Sequence, residues 1–166
     1  MGGLLRSKKF KEKYGQYALI AGGSDGLGYA FAEALAKRGL GLILFARQDD
    51  RLNAASLQLK KKYKTDVIPI VADMANYDNA KKLISSIDVP IGLFVYNAAY
   101  APIGLFENTK EEELSLAATV NVKAPLLLSK LLSENMIQRK RGGIVLMSSL
   151  AGGQGSSKIA AYAATK

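Results

Sequence analysis

The chain has 166 residues, is 49% hydrophobic and 22% charged, and carries a formal net charge of +9. That length supports one domain with a substantial core, and no apolar run approaches the ~18 residues of a membrane-spanning helix. There is no cysteine and no histidine. Disulfides, thiolate nucleophiles, serine–histidine hydrolysis and cysteine- or histidine-held metals are therefore excluded, which leaves tyrosine, lysine, serine and carboxylates for chemistry.

Residues 1–14 read as a basic, partly mobile arm carrying Arg6, Lys8, Lys9, Lys11 and Lys13. The first residues lack the apolar core expected of a secretory signal, and we expect a cytoplasmic protein. Two further basic clusters are Lys60, Lys61, Lys62 with Lys64, and Arg139, Lys140 with Arg141. They are open to two readings: attraction of anionic partners such as nucleotide phosphates, coenzyme A-type substrates or a membrane surface, or solubilising charge where helices stop. No motif of a nucleic-acid-binding fold accompanies them.

From residue 15 onward short apolar runs alternate with amphipathic stretches. Predicted strands are Tyr17–Ala21, Gly41–Phe45, Val67–Val71, Ile91–Tyr96 and Gly143–Met147. Predicted helices lie near Gly26–Arg38, Asp50–Tyr63, Asn76–Ser86 and Thr109–Arg139, the last with Thr109 and Glu112 as a capping box. Near-continuous apolar strands between helices indicate an α/β fold with a parallel sheet covered on both faces. Right-handed crossovers give a Rossmann-like, doubly wound sheet ordered 3-2-1-4-5 over residues 15–166.

After the first strand comes Gly22-Gly23-Ser24-Asp25-Gly26-Leu27-Gly28, opening a helix with Leu27, Phe31 and Leu35 on one side. Gly22 allows a sharp turn, Gly26 allows backbone to approach a pyrophosphate, and Gly28 allows close helix–strand packing. The helix N-terminus offers N–H donors and a favourable dipole to phosphate. After the second strand stands Arg47, preceded by Ala46, where a carboxylate would favour NAD. Arginine there suits the 2′-phosphate of NADP, and a solvated strand-end arginine is the alternative. Asp73 and Met74 follow the third strand; Asp73 can reach an adenine edge or cap the next helix. Asn97-Ala98-Ala99 follows the fourth, small enough for a cofactor to pack beside it.

Asn121 lies within the long predicted helix, four residues before Pro125. A proline at i+4 leaves the Asn121 carbonyl without its helical donor, so it can hold a water or mark a simple kink. Ser149 follows the fifth strand. Tyr162 and Lys166 are four apart and share a helix face. An ammonium there stabilises phenolate and lowers a tyrosine pKa from about 10, while a serine hydroxyl can hold the carbonyl that receives the proton. All these groups fall at the carboxyl edge of the sheet, where such folds bind ligands.

Together these residues resemble the short-chain dehydrogenase/reductase family, in particular its branch of 3-oxoacyl-CoA reductases and 17β-hydroxysteroid dehydrogenases. The resemblance rests on Gly22 to Gly28, Asp73, Asn97-Ala98-Ala99, Asn121, Ser149 and Tyr162-Ala-Ala-Thr-Lys166. It implies an NADP-dependent oxidoreductase interconverting a carbonyl and a secondary alcohol, with NAD the less suitable cofactor. By it Tyr162 is the proton donor or acceptor, Lys166 lowers the pKa of Tyr162 and binds the nicotinamide ribose, Ser149 orients the carbonyl, and Asn121 anchors a relay water. It also implies a small-molecule substrate, no metal, and a homodimer or homotetramer paired through the long helix and the tyrosine helix. Ala21 stands where the family has threonine, and Ala99 where it has glycine. The family's later strands and substrate lid have no counterpart before Lys166. We therefore expect part of a longer protein, or a non-catalytic nucleotide-binding or scaffold fragment.

Overall fold

The computed structural model describes residues 2–166. Its elements run α1 (Gly2–Tyr14), β1 (Tyr17–Ala21), α2 (Gly26–Lys37), β2 (Gly41–Ala46), α3 (Asp49–Tyr63), β3 (Val67–Val71), α4 (Tyr77–Ser85) and β4 (Ile91–Tyr96), followed by α5 (Glu111–Ala118), α6 (Ala124–Gln138), β5 (Gly143–Leu146) and α7 (Ala160–Ala164). All strand pairs are parallel, in the order β3-β2-β1-β4-β5.

The strand period of two divides the core. Leu19, Ile43, Phe45, Phe94 and Tyr96 face one side, with Ala80 and Ile84 of α4 and Leu128 and Leu132 of α6. Ala18, Ile20, Leu42, Leu44 and Val95 face the other, with Ala32 and Leu35 of α2 and Leu52 and Leu59 of α3. Each large aliphatic side chain so buried contributes about 1.5–3 kcal/mol. The central strands β2 and β4 are buried throughout, whereas the outer strands β3, past the buried Val67, and β5 alternate half-buried and exposed positions. Pro69 sits in β3 opposite Leu44, on an edge strand where a missing N–H costs no ladder bond.

Four expectations change. Residues 2–14, read from the sequence as an arm, form a helix whose Phe10 and Tyr14 pack against the α2–α3 side of the core. The α2 helix turns its small residues inward: Gly28, Ala32, Leu35 and Ala36 are buried, and Leu27 is 54% exposed at the helix start. The cap of the long helix lies one residue later than Thr109. Lys110 is its N-cap, with its N–H donating to the Glu113 carboxylate at 3.2 Å.

That helix is also interrupted by a π-turn over Thr119–Lys123, in which the Ala124 N–H reaches back to the Thr119 carbonyl. At this five-residue spacing Pro125 stands opposite Val120, not Asn121. The released carbonyl is accordingly Val120's, and it accepts the buried Tyr96 hydroxyl.

Candidate functional site

The glycine turn is built by crowding. Gly22 has φ +77°, and a Cβ on it would lie 2.9 Å from the Ala98 nitrogen. A Cβ on Gly28 would lie 1.9 Å from the Gly22 carbonyl oxygen, so the helix can approach the turn only with glycine there. The Asn97 and Ala98 N–H groups both donate to the Ala21 carbonyl, and Asn97 Nδ2 donates to the Gly22 carbonyl at 3.2 Å. The ends of β1 and β4 are thus locked side by side. Gly26 has φ +52° with open space beyond it, where a ligand can meet backbone. Asp25 caps α2, its carboxylate accepting from the Gly26 N–H at 2.6 Å. Gly23 is buried against Leu44 and Ile20 and serves packing.

A cleft of about 470 Å³ opens along this edge. Gly22, Ser24, Asp25, Arg47, Asp73, Met74, Asn97, Ala98 and Ala99 all line it. Asn76, not Asp73, caps α4, accepting from the Asn79 N–H, while the Asp73 carboxylate accepts from the Ala75 N–H. The cleft wall also includes Arg51, Tyr100, Leu116 and Val120, which sequence reasoning missed. Tyr100 directly follows the small Asn97-Ala98-Ala99 run, and nothing local marks it as a wall residue. Its hydroxyl bonds Glu113 at 3.3 Å, and burial, reinforced by the Glu113 charge, pushes its pKa above the usual tyrosine value.

The second set of site residues gathers beside a smaller cavity of about 220 Å³, lined in part by Tyr96, Asn121, Thr165 and Lys166. Asn121 is buried, and both of its amide hydrogens are used. Its Oδ1 accepts from the Tyr100 N–H at 2.9 Å, and its Nδ2 donates to the Tyr100 carbonyl at 2.7 Å and to Thr165 Oγ1 at 2.8 Å. Lys166 Nζ donates to the Met147 carbonyl at 2.9 Å and stands 5.7 Å from the Tyr162 ring centroid. Partial burial holds the Lys166 pKa below the usual lysine value.

Ser149 and Tyr162 are half-buried and line neither cavity. No hydrogen bond joins them. Ser149 Oγ accepts from the Ala151 N–H at 3.2 Å, which leaves its own O–H free to donate. Among the described residues no three His, Cys, Asp or Glu side chains converge as a metal site, and no helix is long and apolar enough to cross a membrane.

The short chain dehydrogenase family profile matches residues 16–166, and the chain belongs to that family. It is 32% identical over 164 residues to a very-long-chain 3-oxoacyl-CoA reductase of Laccaria bicolor, covering 96% of this chain and 48% of that protein. It is also 32% identical over 161 residues to the human inactive hydroxysteroid dehydrogenase-like protein 1, covering 93% and 48%. A short-chain dehydrogenase from Sphingobium yanoikuyae, solved in complex with NADPH, superposes with a TM-score of 0.84 at 30% identity, covering 91% of this chain and 60% of that one. The chain spans about half the length of these curated relatives.

Proposed function

We propose that the protein is an NADP-dependent oxidoreductase that interconverts a carbonyl and a secondary alcohol. The observation that carries this reading is the Lys166 ammonium, 5.7 Å from the Tyr162 ring centroid and tethered to the end of β5, where ligands of this fold bind. Asn121 connects that pair to the cleft through its two bonds to Tyr100. The cleft suits a dinucleotide: its volume falls in the range of about 300–1,000 Å³ for small-molecule sites, and its floor is the turn that Gly22 and Gly28 alone permit.

Gly22 to Gly28 and the α2 N-terminus hold the pyrophosphate, Arg47 a 2′-phosphate, Asp73 and Met74 the adenine side, and Asn97, Ala98 and Ala99 the wall behind. NADPH, when bound, supplies the hydride. Tyr162 gives a proton to the carbonyl oxygen in reduction and takes it back in oxidation. Lys166 keeps positive charge beside the phenol ring and binds the nicotinamide ribose. Ser149 donates its free O–H to the carbonyl oxygen. Asn121 anchors the water that returns the proton through the second lone pair of its Oδ1, the first being taken by the Tyr100 N–H. Pairing of subunits along the π-turn and α6, where Val122 and Leu126 are exposed, and a cytoplasmic location belong to the same proposal. The test is ketone-dependent NADPH oxidation by the intact protein.

A second reading, a nucleotide-binding protein without turnover, is favoured by the position of Ser149 and Tyr162 off the cleft wall. The name of the human relative agrees with it. Tight NADPH binding with no turnover of any ketone would select it.

A further inference from the structure

Arg51 is in the first turn of α3. A cation there sits at the positive end of the helix dipole, so helix stability does not account for it. Neither acid of its own first turn, Asp49 or Asp50, forms an ion pair with it, and Asp49 Oδ1 accepts from Asn53 Nδ2 at 2.8 Å. Arg51 instead reaches to the glycine turn, where its Nη1 lies 3.7 Å from Asp25 Oδ2, and both residues line the cleft. The side chains are 67% and 78% exposed. A long, exposed pair of this kind is worth little, and a phosphate dianion that can be gripped by a guanidinium fork competes with it easily. Arg47 lies four residues away on the same cleft wall, which makes two arginines available to one anion. Asp25 is the opposing element: its Oδ1 is committed to the Gly26 N–H, and its Oδ2 faces Arg51.

Resting on the cofactor reading above, we propose that Arg51 is a second phosphate-binding cation of the cleft. Asp25 holds it across the mouth until a ribose 2′-phosphate takes the place of Asp25. The pair sets the preference between phosphorylated and unphosphorylated adenosine cofactors. Arg47 supplies a fixed charge, and Arg51 supplies one that must first be released.

The experiment measures dissociation constants of 2′,5′-ADP, ADP, NADPH and NADH for the intact protein and three variants. Arg51→Gln should weaken 2′,5′-ADP and NADPH by about 10-fold or more and leave ADP and NADH unchanged. Arg51→Lys, which keeps a point charge without the fork, should fall between. Asp25→Asn keeps a good helix cap and frees Arg51, so it should tighten the 2′-phosphorylated ligands by about 1.5- to 5-fold. Combined with Arg51→Gln, that gain should vanish. If Arg51→Gln weakens ADP and 2′,5′-ADP equally, or neither, the proposal is overturned while the cofactor reading stands. If the wild-type protein binds none of the four, both are overturned.

Discussion

Asn121 Nδ2 donates to Thr165 Oγ1 at 2.8 Å, and the Thr165 hydroxyl in turn donates to the Tyr162 carbonyl, also at 2.8 Å. The other bonds of Asn121 hold the Tyr100 backbone at the cleft wall. One buried side chain therefore ties the cleft to the tyrosine helix, and the π-turn is what places it there. Thr165→Val keeps the shape and deletes both bonds. It should cost about 1–2 kcal/mol in chemical denaturation and Thr165→Ser should recover most of it. Asn121→Asp turns a donor into an anion facing two acceptors and should cost on the order of 2–4 kcal/mol.

Gly28→Ala places a methyl 1.9 Å from the Gly22 carbonyl oxygen. Backbone cannot rotate away as a side chain does, so the turn must shift. We expect a loss of about 1–3 kcal/mol with a lowered melting temperature, and NADPH binding lost in titration. Gly104→Ala, with open space at its Cβ, serves as the control and should do neither.

Arg47→Ala should weaken NADPH by about 1.5–3 kcal/mol, the value of a charge-assisted hydrogen bond, and leave NADH unchanged. Equal wild-type affinities for the two cofactors in calorimetry would remove the basis for assigning NADP.

Burial holds the Lys166 pKa below its usual value. Since the unfolded chain then binds more protons than the folded one between the lowered pKa and the ordinary one, stability rises with pH across that window. Below it, Lys166 is charged in both states and the burial penalty is present in full. Lys166→Met should remove this rise from a pH series of denaturation curves. The same lowered pKa places the alkaline loss of ketone reduction below the range of an exposed lysine.

The sheet was legible because its central strands are continuous apolar runs separated by helices, and the crossover rule then leaves few orders. The glycine turn, Arg47, Asp73 and Asn97 were legible as a set because each follows a strand, and all strand ends share one edge. The π-turn was not. Pro125 gives the same local signal at α and at π spacing, and only the Tyr96 hydroxyl settling on the Val120 carbonyl distinguishes them. The outward Leu27 was missed for a related reason: the sheet selects the smallest residues, Gly28 and Ala32, for the close helix face, against simple apolar periodicity. The α1 helix lays Phe10 and Tyr14 on the core, a contact that no local pattern encodes. Tyr100 and Arg51 reach the cleft through tertiary placement alone.

The central claim is that Tyr162 moves the proton, and Tyr162→Phe tests it most directly. The substitution removes one oxygen and leaves Thr165, Lys166 and the cleft in place. We predict that kcat/KM for ketone reduction falls by about 10²- to 10⁴-fold while the NADPH dissociation constant is unchanged. Near-wild-type turnover by Tyr162→Phe would contradict the account.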